Sequence, residues 1–488
     1  MTVRNLAGCM SVAVGCLAAL PPVFGETEVM LFFDTEDYTN DRANDAIRDI
    51  ANILTEEGVV GEFNVVGYLA QRIRELGRQD VVDALKPHEI GSQSLYHSVH
   101  PDICEATDLK DPGAAYDAAM REERHSVRLL KEVFGRDDVK FFCPPGNSVT
   151  YAGIEAYYDL GMRFYVGGGF TDYPGSEAYG TGGLAWRNNE GKGLWYFNLM
   201  WLPYTMAFRL EDLLPYPGDG EPNIPAILDR LARRDFVGLY MHPHMAVEKR
   251  HWDGINYAKR NLVEFGKWNV PPPRDEKDTE TFYRRLRAFV HAAKSDRRFH
   301  FTSIGALEKS LMPRKAIRRA DIPAIRRSLE RNFTYVTDPA SWCVSDCFAA
   351  AVRMLRGEGE RIPGKAFGFV EKPVGVSSSV KVSADELRKA ANQIDLSTYL
   401  PARIVVGDVQ LGPADFLFAA LEVLESGRRE VELKPREQLG SFNEIPSLEK
   451  WRVAGGWGIH SDEFKDAYLS DRLRLQLWTL RREPKGRP

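Results

Sequence analysis

Cysteine is scarce in this chain, with six residues among 488. That density is far below that of a scaffold stapled by disulfides, so the fold has to rest on a hydrophobic core. An excess of either charge is lacking too. Lys and Arg number 64 against 69 Asp and Glu, a net charge of −5. No basic stripe or domain stands out, which excludes a general nucleic-acid binder. Beyond the extreme N-terminus no apolar run reaches the roughly 18 residues needed to span a bilayer. With 44% hydrophobic and 27% charged residues, disordered and collagen-like chains are excluded as well. The length asks for two or three domains. What is present is the make-up of a globular multidomain protein of enzymatic type.

The N-terminus carries export grammar. Arg4 supplies a positive start, Leu6 to Leu20 an apolar stretch, and Pro21-Pro22 a break before Val23-Phe24-Gly25. This predicts a signal peptide over 1–25, cleaved after Gly25, and a periplasmic, cell-surface or secreted location. Lipoprotein anchoring at Cys9 or Cys16 is the alternative. Of the remaining cysteines, Cys343 and Cys347 are four apart in a predicted helix, Trp342 to Leu355. That spacing suits buried core better than a bridge.

From Val29 to about Leu311 short apolar strands alternate with helical stretches. Val29 to Phe33 is a continuous apolar run, as expected of a strand covered on both faces. Helices are predicted over 41–57, 68–76 and 113–134, and strands near 61–66, 89–93, 139–143, 163–166, 194–199, 237–241 and 300–302. Such β–α repetition predicts an α/β fold with a parallel sheet wholly or partly closed into a barrel over 26–311. Residues 312–323 form a basic, Pro-flanked linker. A smaller α/β module follows over 324–430, and 431–488 is a tail rich in Trp and charge with no assignable pattern.

In such a barrel the reacting groups lie where strands end. Asp34, Glu36 and Asp37 directly follow the first strand, and three crowded carboxylates ask for a cation or a proton. His88, His97 and His100 fall within thirteen residues around another strand end, and His97 and His100 could share a divalent ion. Pro144-Pro145 stiffens the loop after the 139–143 strand, which suits a pocket wall. His242 and His244 follow the 237–241 strand, and a strand-end histidine suits general acid chemistry near neutral pH. Tyr38, Tyr96, Trp195, Trp201, Tyr204 and Trp252 offer faces on which sugar rings could stack.

Taken together and in this order, these clusters resemble the NodB-homology polysaccharide deacetylases over about 29–311. Phe33-Asp34-Thr35-Glu36-Asp37 resembles the family's first acidic motif with a spacer, and Gly61 to Gly67 its second strand. His88 to Gly91 is similar to the run into its metal histidines, Phe141 to Pro145 to its Arg-x-Pro motif, and Tyr240 to Pro243 to its closing histidine motif. The resemblance implies an irregular (β/α) barrel and a divalent metal, zinc first, with Glu36 or Asp37 and His97 as ligands. It implies Asp34 as base and His242 as acid, with Tyr96, Pro144, Pro145 and His244 on the substrate side. The implied reaction is removal of acetyl groups from an N- or O-acetylated polysaccharide. Two positions depart from the pattern. The first metal histidine falls on Gln93, and the motif arginine falls on Cys143. An amide binds zinc poorly beside an imidazole, so His100 is the replacement ligand; otherwise the barrel is a non-catalytic carbohydrate-binding relative. A glycosidase using Asp34 with Glu36 or Asp37 is a third reading. Residues 382–427, helix–strand–helix, resemble a pseudomurein-binding repeat, which implies a cell-wall glycan as partner of the C-terminal module.

Overall fold

The computed structural model describes residues 26–148, 150–167, 191–202, 209–214, 220–234, 236–257, 261–440 and 459–484. The expected signal peptide, with Cys9 and Cys16, and the aromatic Tyr204 lie outside the described residues. No helix among the described residues is long and apolar enough to cross a membrane.

One mixed sheet of ten strands dominates. Its strands are β1 (Thr27–Thr35), β2 (Glu62–Val65), β3 (Glu89–Ser92), β4 (Phe141–Phe142), β5 (Phe164–Val166), β6 (Gly191–Tyr196), β7 (Leu199–Leu202), β8 (Phe236–Met241) and β9 (Phe299–Phe301). The tenth is a C-terminal strand, Arg481–Pro484. The order runs from the C-terminal strand through β6, β7, β5, β4, β3, β2 and β1 to β8, with β9 also on β1. Every pair from β5–β7 round to β8 and β9 is parallel, and the two pairs made by β6 are antiparallel. The sheet curls into a half-barrel. The α/β expectation stands, but the sheet is mixed. The hairpin β6–β7 replaces the single strand expected at 194–199, because Phe197 and Asn198 take left-handed backbone angles and turn the chain.

β1 lies between β2 and β8, with β9 paired to it as well, and its apolar run 29–33 is buried throughout. Phe32 and Phe33 are fully buried, and the Phe33 ring stacks on Phe63 at 4.6 Å. Each such side chain contributes about 1.5–3 kcal/mol by leaving water. Helix α1 (Arg42–Glu56) covers β1 with Ile47, Ile50 and Leu54, while its charged residues face out. Parallel neighbours end on the same edge of a sheet. The loops after β1, β2, β3 and β8 therefore meet.

The C-terminal region has its own buried cluster. Its helices Val344–Leu355, Ala384–Ala391 and Pro413–Ser426 pack together, and a two-stranded pair, Val380–Ser383 with Glu430–Leu433, lies beside them. Trp342 and Cys343 form a short strand, so the expected helix starts two residues late. Cys343 and Cys347 are both buried thiols, as the spacing suggested, and neither forms a disulfide. Within 382–427 the chain makes a hairpin, Ile404–Val406 with Val409–Leu411, where one strand was expected.

The tail acquires a place. Leu469, Leu473, Leu477 and Leu480 pack into the half-barrel core, whereas Trp478 packs into the C-terminal one. A single segment thus straddles both.

Candidate active site and metal centre

Register explains what meets. Asp34 on β1 is level with Asn64 on β2, and the Asn64 amide donates to Asp34 Oδ1 at 3.2 Å. Asp34 Oδ2 lies 3.7 Å from His242 Nε2, which stands just after β8. The backbone N–H and Nδ1 of His242 both contact Glu211 Oε1 at 3.0 Å. The imidazole is thereby aimed, with Nε2 toward Asp34. Burial pushes the Asp34 carboxyl up to about 6 against the pull of His242. For His242 burial works downward, but Glu211, Glu36 and Asp34 outweigh it and hold the imidazole up at about 10. One group is thus poised to take a proton and the other to give one.

Glu36 is the hub beside this pair. Its Oε1 accepts from Trp252 Nε1 at 3.1 Å, and its Oε2 accepts from Gln93 Nε2 at 3.3 Å and meets His97 Nε2 at 3.0 Å. Burial alone would raise its pKa, yet His97 overrides burial and keeps it well below the usual carboxylate range. His97 is anchored in turn, with Nδ1 at 2.6 Å from the Ser98 hydroxyl. Its backbone sits at φ 58°, a region non-glycine residues seldom adopt and one that recurs at functional loops.

Two expected ligands are elsewhere. Asp37 turns away, accepting from Thr39 N and Oγ1 and from Asn40, whose amide also reaches Glu248. Burial raises both Asp37 and Glu248, the latter to about 10, as two carboxyls crowd one dry pocket. His100 points its Nδ1 at Glu105, 2.7 Å away, not toward Glu36. A His97/His100 pair is therefore not formed, because the three-residue spacing falls on a bent loop and not on a helical turn.

The substrate-side residues separate too. Pro144 and Pro145 wall a small cavity with Ile103, Phe142, Ser148 and Tyr157, away from the acidic groups. Cys143, where an arginine was looked for, is buried, and Asn64 is the residue that holds Asp34. Trp195, Trp201, Trp252 and Tyr38 are core. Trp252 serves Glu36, and Trp195 donates to Glu483. The aromatic face that stays partly open is Tyr68, Tyr96 and Phe265, with Phe265 5.2 Å from Tyr68 and 5.4 Å from Tyr96 between ring centroids. His244 lies in the site itself, fully enclosed among Glu36, His242 and His251.

Sequence reading missed Asn64, Glu211, Trp252 in its polar role, and His251. For Glu211, 31 residues before His242, no spacing rule applies. For His251 there was a signal. His242, His244 and His251 put three of the ten histidines within ten residues, denser than the 88–100 run.

Among the described residues two groups could hold a metal ion, Glu36 with His244 and His251, and His100 with Asp102 and Glu105. In the second the carboxylates are already engaged by the protein, and one buried ring nitrogen of His100, Nε2, has no hydrogen-bond partner. Asp102 Oδ1 caps helix α2 (Ile103–Thr107) through the N–H groups of Cys104 and Glu105, and its Oδ2 contacts His460 Nδ1 at 2.6 Å. Glu105 accepts from Ser461 N at 2.6 Å and from Asp102 N at 2.9 Å.

No family model and no curated protein matches the sequence. Solved structures do. CE4 polysaccharide deacetylases are among its structural neighbours. A family 4 acetyl xylan esterase from Clostridium thermocellum, solved with a cobalt ion, is 16% identical, with 58% of this chain and 91% of that one covered and a TM-score of 0.30. A CE4 family pseudoenzyme from Bacillus anthracis is 12% identical, with 57% and 71% covered and a TM-score of 0.29. A 4-alpha-glucanotransferase from Thermococcus litoralis is 12% identical, covers 59% of this chain with a TM-score of 0.39, and is matched over 41% of its own length. Likeness this loose concerns the fold and transfers neither activity nor residue roles.

Proposed function

We propose that the protein is an exported, metal-dependent hydrolase that removes acetyl groups from an N- or O-acetylated polysaccharide. The observation that carries this reading is the buried pair Asp34–His242, 3.7 Å apart, with the Glu36 and histidine cluster at its side. Hydrolysis of an acyl bond needs one group to deprotonate water and another to protonate the leaving amine or alcohol. Asp34, oriented by Asn64, takes the proton from water. His242, kept protonated and aimed by Glu211, delivers a proton to the departing sugar nitrogen or oxygen. A bound divalent ion, zinc in the first instance, supplies polarisation of the acyl carbonyl and a more acidic water. The half-open face of Tyr68, Tyr96 and Phe265 offers stacking for a sugar ring. The C-terminal module would serve as the glycan-holding partner of the barrel.

The test is acetate release by the full-length protein from acetylated xylan and from N-acetylated chito-oligosaccharides. Asp34→Asn should lower the rate by about 10²–10⁴-fold. Metal-loaded wild type that releases no acetate from either would defeat the reading. The second reading, a non-catalytic glycan-binding barrel, draws on the Gln93 amide that occupies Glu36. It requires glycan affinity that Asp34→Asn leaves intact.

A further inference from the structure

His244 is an anomaly in energetic terms. It is 2% exposed, and neither ring nitrogen has a hydrogen-bond partner. A neutral imidazole always carries one N–H and one lone pair, and leaving such a group dry and unpaired costs about 1–3 kcal/mol. Protein interiors rarely accept that without something to fill the vacancy. One ligand atom from each of His244, His251 and Glu36 lies within 4.8 Å of the others. Ions bound at about 2.0–2.2 Å bring such atoms to about 3.4 Å apart, a closure of an ångström or so. Both histidines come from the loop after β8, His244 from the 3-10 turn Pro243–Ala246 and His251 from the cap of helix Trp252–Asn256.

We propose that a first-row divalent cation binds Glu36, His244 and His251, so that coordination joins the β1 and β8 loops and not the β1 and β3 loops. One carboxylate and two imidazoles suit zinc or its neighbours, and three protein ligands leave a position open beside Asp34 and His242. Glu36 is braced for the task. Trp252 Nε1 holds one carboxylate oxygen, and His97 and Gln93 hold the other. His97, an expected ligand, and Gln93, where the first metal histidine of the resembled pattern falls, thus become positioning residues that orient the ligand carboxylate. The assignment rests on the hydrolase reading only for what the ion does, since the site stands on its own geometry.

The experiment uses the full-length chain, stripped with chelator and titrated calorimetrically with ZnCl2. CoCl2 serves as a second probe, read by visible absorption. One ion per chain is expected. His251→Ala and His244→Ala should each weaken binding by at least about 100-fold, since even loss of an outer partner costs about 10–100-fold. His97→Ala should stay within that milder range and keep the cobalt spectrum of a histidine-ligated ion. If His244→Ala fails to fold, His251→Gln carries the comparison, with circular dichroism confirming the fold. The proposal is overturned if the wild type takes up no stoichiometric ion, or if His97→Ala abolishes uptake while His251→Ala leaves it unchanged. Ion binding without acetate release would instead retire the deacetylase reading and leave the site standing. Acetate release from chelated, metal-free protein would retire the metal-dependent mechanism, while the titration alone decides the site.

Discussion

Two clusters of histidine and carboxylate lie in the half-barrel, and they differ in what saturates them. Around Asp102 and Glu105 each carboxylate oxygen has a partner from the protein, supplied by a helix cap, His100, His460 or Ser461. Ser148 Oγ even completes a hydroxyl–imidazole–carboxylate chain, 3.0 Å from His460 Nε2. Around Glu36 the acceptors are also held, but His244 is left with two empty nitrogens. The same residue types therefore make a fastening in one place and, on the function proposed above, a reacting centre in the other. Composition does not separate them; the extent of unfilled bonding capacity does, one nitrogen of His100 in the first against both nitrogens of His244 in the second.

The sharpest way to break this contrast is at the fastening. Asp102→Ala removes a helix cap, at about 1 kcal/mol, and strands the buried His460 nitrogen, at about 1–3 kcal/mol more. Urea unfolding should show that loss, with zinc uptake by the folded fraction intact. If the variant lost its metal and kept its stability, the roles of the two clusters would be exchanged.

A middling effect should come from the metal itself. At a hundred times its dissociation constant, zinc stabilises the folded chain by about 2.7 kcal/mol. The melting temperature of wild type should rise accordingly, while that of His251→Ala should not move. An equal rise in both would place the ion elsewhere.

The smallest effect sharpens the comparison with a third buried histidine. His88 resembles His244 in burial but has both nitrogens engaged, Nδ1 accepting from Gly61 N at 3.1 Å and Nε2 donating to Ala51 O at 2.9 Å. Burial, slightly opposed by Ala51, lowers its pKa below 6.5. The unfolded chain thus binds the proton more readily. The contribution of His88 is fully present above pH 6.5 and is lost as the pH falls from there through the folded value. Loss of the Gly61 bond makes this about 1 kcal/mol. His88→Gln should flatten the dependence of chemical stability between pH 5 and 7, and an unchanged slope would dismiss the account.

How far the chain could be read follows the reach of each signal. β1 and α1 were legible because apolar runs and helical periodicity are local; strand-end logic singled out Asp34 and His242 separately, and the family resemblance implied their pairing. The ligand geometry was not legible at Asp37 or His100. Both obey the right spacing, but a neighbouring turn or helix cap claims their side chains. Asn64 enters through strand register and Glu211 through tertiary approach, neither of which leaves a mark in linear order. Residues 459–484 were opaque for a related reason. Their leucines serve one core and Trp478 the other, so no single periodicity describes them.

That straddling tail has a temporal consequence. The sheet opens with residue 27, yet one edge of β6 is covered only by Arg481–Pro484. During synthesis the half-barrel waits with a bare edge until residues 481–484 arrive. Pairings so distant in sequence are slow to form, and unpaired edges invite aggregation in the meantime. The newborn chain would then depend on a holding chaperone for longer than its helix-rich middle suggests. Arg481 and Arg482, once seated, are themselves buried in the strand that closes this end of the sheet.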